Sequence, residues 1–190
     1  NAAHARVLRL KPGEQVLLCD GQGQECLCQV ENLTPEGLAL AVLERRESCA
    51  EARVRVSVYM AFPKGDKLEH VIQKATELGA YEIVSFPSAR CVSRPDVKSL
   101  QKKLERWQKI AASAAEQSGR GRIPQVLVLG SYREALERAA QADSGFLFYE
   151  NEQATTLQMA MTGFAGTSLS LLTGPEGGLE ASEVEKAQEA

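Results

Sequence analysis

Residues 171–190 read LLTGPEGGLEASEVEKAQEA: an apolar run, a turn of Gly174, Pro175, Glu176, Gly177 and Gly178, and then a helix-like stretch. Strand, glycine-rich turn and helix in that order make an α/β ligand loop, so this stretch decides the fold class. Such a turn ordinarily suggests phosphate, because free amides at a helix start attract anions and glycine lets a ligand come close. A phosphate loop pairs those amides with lysine, as in the P-loop Lys-Ser pair, whereas this turn carries the carboxylate Glu176. Neighbouring negative charges repel, and more strongly in a partly dry pocket. The turn therefore reads as the seat of a neutral or cationic ligand held by backbone hydrogen bonds. S-adenosylmethionine, with a sulfonium and an ammonium and no phosphate, is such a ligand. A plain tight turn of Gly, Pro and Gly is the alternative. Ser182 and Glu185 read as the capping box of the helix that follows.

Working back from the loop, strand and helix alternate as far as residue 54. VRVSVYMAF (54–62) is a strand with Val54, Val56, Val58 and Met60 on one face. Leu68, Val71, Ile72, Ala75 and Leu78 stand at helical spacing over 67–78, and Gly79 supplies a stop. A strand near 82–86 precedes a long helix over 98–117, striped by Leu100, Leu104, Trp107, Ala111 and Ala114. QVLVLG, GFLFYE and SLSLLTG are short buried-type strands, with helices at 132–142 and near 153–161. This alternation predicts a parallel sheet covered by helices, with its ligand beyond the carboxyl ends of the strands.

Residues 1–52 have a different rhythm. Apolar runs at Val16–Cys19, Glu25–Val30 and Leu38–Leu43 are separated by Asp-Gly-Gln-Gly and Thr-Pro-Glu-Gly, both turn-forming. They predict a small antiparallel barrel, with Gly21-Gln-Gly23 as a hairpin turn rather than a nucleotide fingerprint.

Over 190 residues the chain is 44% hydrophobic and 25% charged, an ordinary globular composition. Neither a membrane-length apolar run nor a signal-peptide pattern is present, so a cytoplasmic location is the default expectation. Cys19, Cys26, Cys28, Cys49 and Cys91 lack zinc-site spacing and read as reduced thiols, and His4 and His70 are too far apart for a metal cluster. No metal is expected. The net charge of -3 is unevenly spread. Arg90–Arg122 holds nine basic residues against three acidic, while Glu134–Ala190 holds ten acidic against two basic. The basic zone is consistent with a docking polyanion, and equally with a solvated helix face.

TGPEGGLEASE (173–183), KGDKLEHVIQKATELGA (64–80), AEQSGRGRIPQV (115–126) and HARVLRLKPGE (4–14) together resemble the RsmE-type ribosomal RNA methyltransferases of the SPOUT class. The likeness runs in order over nearly the whole chain. It implies a PUA-like RNA-binding β-barrel over 1–52 and a SPOUT methyltransferase domain with a parallel sheet over 53–190. It also implies a trefoil knot whose loops hold S-adenosylmethionine bent, a homodimer, and methylation of uridine N3 in 16S rRNA of the small ribosomal subunit. Family members have a strand before HARVLR and a later segment with an LGxRILRxETA-like motif, neither found in this sequence. A molecule ending at Ala190 would be expected to bind the cofactor poorly.

The resemblance assigns the cofactor to Leu172, Thr173, Gly174, Pro175, Glu176, Gly177 and Gly178, with Tyr149 and Glu150 lining the same cleft. For RNA, Arg6 and Arg9 match the family's early arginines, and Arg120 and Arg122 lie in the SGRGR loop. Arg90, Arg94 and Lys98 extend that track, with solvated surface charge as the equal alternative. Lys64, Lys74 and Glu77 match family positions, although the last two read equally well as a helix-face ion pair. The implied reaction is attack by deprotonated uridine N3 on the cofactor methyl, driven by alignment and by an arginine that the later segment would supply. Glu176 is a candidate base, on the expectation that partial burial raises its pKa. Two other readings stay open: a non-enzymatic RNA-binding factor, and a SPOUT methyltransferase acting on tRNA.

Overall fold

The computed structural model describes residues 9–34 and 37–190. Two compact units emerge: one contains the residues up to Glu51 together with Gly119–Arg122, the other Ala52–Ser118 with Ile123–Ala190.

The first unit is a three-stranded antiparallel sheet in the order β1 (Gln15–Cys19), β2 (Gln24–Leu33), β3 (Leu38–Glu47). The β1–β2 link is the expected hairpin. Asp20 Oδ1 accepts from the backbone N–H groups of Gln22 at 2.7 Å and Gln24 at 3.1 Å, while Gly21 and Gly23 take φ of 76° and 103°. These left-handed positions are why glycine stands there. Two bulges interrupt the β2–β3 ladder. Glu25, only 4% exposed, accepts a hydrogen bond from Ser48 Oγ at 2.5 Å and is ion-paired with Arg46 Nε at 3.2 Å. The Gly119–Arg122 segment joins this unit through Gly23 N–H to Gly121 O at 2.9 Å and through Glu51, which accepts from Arg120 Nη2 and the Arg122 amide.

The second unit is a five-stranded sheet in the order β6–β5–β4–β8–β7, every pairing parallel. Its strands are β4 (Arg55–Ala61), β5 (Glu82–Phe86), β6 (Gln125–Val128), β7 (Ser144–Phe148) and β8 (Ser168–Thr173). Helices α1 (Lys67–Glu77), α2 (Val97–Gln117), α3 (Tyr132–Ala139), α4 (Leu157–Ala160) and α5 (Ala181–Gln188) connect or follow them. A parallel sheet must be covered on both faces, and this one is. On one face Tyr59, Val84, Phe86 and Leu172 pack with Ala135 and Leu136 of α3 and Val184 of α5. On the other, Ile83 and Val126 pack with Ile72 of α1 and with Trp107 and Ala111 of α2. All five residues of β5 are buried.

β8, the last strand in sequence, lies between β4 and β7, with Thr173 opposite both Met60 and Phe148. Strand order therefore reverses beside β4, and a sheet of this kind holds its ligand at the carboxyl edge near such a reversal.

Several local expectations need correction. Leu78 caps α1 and is 87% exposed rather than joining the apolar stripe; Thr76 takes the buried position, its hydroxyl donating to Ile72 O. Gly79 does stop the helix, at φ 97°. The third helix ends at Ala139, short of 142. The helix expected near 153–161 shrinks to one turn, because Glu152 accepts from the amides of Ala154 and Thr155 at 2.7 Å and holds that stretch as a turn. The last helix is capped at Glu180, not Ser182. Its capping box pairs Glu180 with Glu183, whose carboxylate accepts from the Glu180 amide at 3.0 Å. Lys74 and Glu77 form the helix-face ion pair, at 2.7 Å.

Candidate functional site

The turn that follows β8 is built too tightly for side chains. Gly178 N–H donates to Pro175 O at 2.9 Å, and Gly178 takes φ 70°. A Cβ on Gly174 would come within 2.9 Å of the Gly178 carbonyl carbon and 3.0 Å of Leu179 Cγ. A Cβ on Gly178 would run into the carboxylate of Glu150. The bend thus exposes peptide groups rather than side chains toward its open side.

That side is a cleft of about 680 Å³ at the carboxyl ends of β7 and β8. The volume falls in the range of about 300–1,000 Å³ common to small-molecule sites. Thr173, Gly174, Pro175, Glu176, Gly177 and Gly178 form one wall, and Tyr149 and Glu150 belong to the other. Leu172 does not line it: at 5% exposure its side chain packs in the core beneath the bend. Glu150, Glu152 and Glu176 are among the lining residues, and among the described residues no lysine or arginine is. Such a donor set disfavours phosphate and suits a ligand carrying positive charge. It fits S-adenosylmethionine, whose positive charges would lie beside Glu150 and Glu152 and whose polar groups would meet peptide groups of the bend.

Glu176 is where the expectation fails most clearly. Lys67 Nζ lies 2.7 Å from its carboxylate, and the Lys64 amide donates to both oxygens at 3.0 and 3.2 Å. The Lys67 contact, aided by backbone amides, lowers its pKa to about 2 instead of raising it. A carboxylate so well satisfied is a poor acceptor for a uridine proton; it clamps the bend to the β4–α1 turn. The folded pKa lies below the ordinary 4.5. Glu176 therefore contributes stability that is fully present above the unfolded value and is lost as pH falls toward 2. Urea unfolding of the wild type and Glu176→Gln should show a constant gap in midpoint above about pH 5 that closes as acid protonates the wild-type carboxylate. A gap that stayed constant down to acid pH would remove the clamp.

The loop after β5 braces the bend from behind. Arg90 Nη1 donates to Gly177 O at 2.9 Å and stands 3.8 Å from Glu150. The Ala89 amide donates to Glu183 Oε1 at 2.9 Å, and Glu183 is only 7% exposed. Glu183 and Lys67 were not singled out by the sequence; the only hint for Glu183 was its place three residues after Glu180.

The arginines expected to meet RNA are mostly committed elsewhere. Arg90 braces the bend, and Arg94 Nη2 donates to Ser88 O at 2.8 Å. Arg120, with a side chain 4% exposed, pairs with Glu51 at 2.6 Å, and Arg122 Nη2 donates to Gln22 O at 3.0 Å. Arg9 is exposed with a left-handed φ of 54°. Arg6 lies outside the described residues.

A covered parallel sheet with a glycine-built bend at its carboxyl edge, in a chain that also carries a small antiparallel unit, is the architecture that matches one class of known proteins, the RNA methyltransferases. The RNA methyltransferase domain family matches residues 50–190, and the RNA methyltransferase PUA domain family matches residues 1–43. The chain is 37% identical over 188 residues to the ribosomal RNA small subunit methyltransferase E of Bacillus subtilis (strain 168), covering 96% of this chain and 73% of that protein. The corresponding Mycobacterium tuberculosis (strain CDC 1551 / Oshkosh) protein is 37% identical over 182 residues, or 95% of this chain and 69% of its own length. A crystal structure of the Neisseria gonorrhoeae ribosomal RNA small subunit methyltransferase E bound to S-adenosyl methionine superposes with a TM-score of 0.81 at 31% identity, covering 99% of this chain and 76% of that one. The chain belongs to the ribosomal RNA small subunit methyltransferase E family.

Proposed function

We propose that the protein methylates N3 of a uridine in 16S rRNA of the small ribosomal subunit, using S-adenosylmethionine. The observation that carries this reading is the bend at Gly174–Gly178: peptide groups and carboxylates line the cleft at the sheet's carboxyl edge, and among the described residues no lysine or arginine does. When bound, S-adenosylmethionine supplies a sulfonium-activated methyl carbon that a nitrogen nucleophile can take as the carbon–sulfur bond breaks.

The chain's own contribution is to bind and orient. Backbone groups of the bend fix the ligand without long side chains whose freedom would have to be lost on binding. Glu150 on the opposite wall favours a cationic partner, and Arg90 holds that wall and the bend in one arrangement. The uridine N3 proton leaves to a group other than Glu176. The reading includes a cytoplasmic location, a knotted sheet domain and a homodimer; light scattering should give the mass of two chains. Among the described residues no helix is long and apolar enough to cross a membrane.

The test is transfer of a labelled methyl group to small subunits from cells lacking their own enzyme, with the modified nucleotide mapped. Label on one uridine of 16S rRNA, at N3, is expected. RNA binding without transfer would favour a non-enzymatic factor, and label on tRNA would redirect the substrate assignment.

A further inference from the structure

Once Arg90, Arg94, Arg120 and Arg122 are occupied with protein partners, another set of cations stands out. Lys98, Lys102, Lys103 and Lys109 of α2 are exposed, and among the described residues none has an ion-pair partner. At 100° per residue, Lys98, Lys102 and Lys109 fall within about 40° of one another, opposite Trp107 and Ala111, and span about 16 Å of helix. Arg106 flanks them, paired with Glu69 at 2.7 Å. Glu105 is an acidic neighbour on this face, where Gln101 donates to it at 3.1 Å, and Glu116 falls on the same line two turns beyond Lys109.

Glu105 stands at i+3 from Lys102 and i−4 from Lys109 and offsets part of this charge, but stability does not explain the rest. Lys98, Lys102 and Arg106 follow one another at i, i+4, where like charges repel. Lys98 also lies in the first turn, where the helix dipole disfavours a cation and where the N-cap Asp96 is the nearest carboxylate on α2. Elsewhere the same chain uses the stabilising alternative, Arg133 with Glu137 at 2.7 Å along α3. Nor is the chain short of acids, having 25 against 22 basic residues.

We infer that this lysine face of α2 is a phosphate track along which a single strand of RNA is laid toward the methyl-transfer cleft. Topology gives the direction. β5 and β8 are parallel, so the loop after β5 and the bend after β8 lie on the same edge of the sheet. That loop touches the bend through Arg90 and then opens α2 at Asp96, whose Oδ1 accepts from the Ser99 amide at 2.9 Å. Lys98, in the first turn of α2, therefore stands on the same edge of the sheet as the cleft, and Lys109 about three turns farther along the helix. Lysine serves a track well because its point charge tolerates any phosphate geometry. The inference rests on the methyltransferase reading.

The experiment is anisotropy titration of a labelled single-stranded oligouridylate with the protein made from its complete coding sequence. Wild type is compared with Lys102→Gln/Lys109→Gln between about 50 and 200 mM salt. Glutamine keeps helix propensity and leaves the core untouched. Loss of two phosphate contacts should weaken binding about 10- to 30-fold near 0.1 M salt and flatten the log–log salt slope by about 1.4. S-adenosylmethionine affinity should not change. Wild-type binding with an unaltered affinity and slope in the double variant overturns the track and leaves the proposed activity standing. Failure of the wild type itself to bind any RNA, while still binding S-adenosylmethionine, overturns both. Competition by polyglutamate as strong as by RNA would assign the face to an acidic protein and also overturn it.

Discussion

Gly174→Ala should weaken S-adenosylmethionine binding by about 10- to 100-fold, with a parallel loss of methyl transfer. The added methyl would meet main chain, the Gly178 carbonyl carbon at 2.9 Å, and Leu179, which is 1% exposed. Neither can yield without opening the bend or disturbing the core below it, and overpacking of this kind costs about 1–3 kcal/mol. Position 178 provides the contrast. There the added methyl meets the Glu150 carboxylate, whose side chain is 44% exposed and can swing aside. What remains is chiefly the cost of a left-handed φ, about 1–2 kcal/mol. Calorimetric titration of the purified variants checks the order. An alanine at 174 with wild-type affinity would mean that the bend does not hold the ligand.

Glu183→Ala should cost about 1–3 kcal/mol of folding stability. Its carboxylate, on a residue only 7% exposed, answers two backbone donors, Ala89 at 2.9 Å and Glu180 at 3.0 Å. Alanine would leave both donors to solvent and release the loop after β5 from the start of α5. Glu183→Gln keeps one acceptor oxygen and should recover roughly half of the loss. Denaturant midpoints measure the cost. Cofactor affinity should fall as well, because Arg90 of the released loop no longer reaches Gly177 in a fixed position. An alanine variant with unchanged stability would show that the two donors find other partners.

Periodicity made the sheet domain legible in the sequence. The stripe from Leu100 to Ala114 and the stop at Gly79 are local signals, and the structure has α2 over Val97–Gln117 and φ 97° at Gly79. The insertion of β8 between β4 and β7 has no local signal, since it depends on which edges remain to be paired once the earlier strands are in place. The same limit explains Glu176. Its amide partner Lys64 lies 112 residues away along the chain, and no spacing rule links a bend to a turn so far upstream. Counting charges located a basic zone but could not distinguish cations already held by the protein, such as Arg120 on Glu51, from those left facing solvent on α2. Leu172 shows the converse. It is adjacent to the bend in sequence, yet strand alternation points its side chain into the core.

The central claim is that a carboxylate-rimmed bend selects a phosphate-free methyl donor. Side-by-side calorimetric titrations of S-adenosylmethionine and ATP into the protein, made from its complete coding sequence, test it most directly. The account predicts saturable heat at one site per chain for S-adenosylmethionine and none for ATP, with the signal diminished by Gly174→Ala. Saturable binding of ATP that S-adenosylmethionine fails to displace would contradict it.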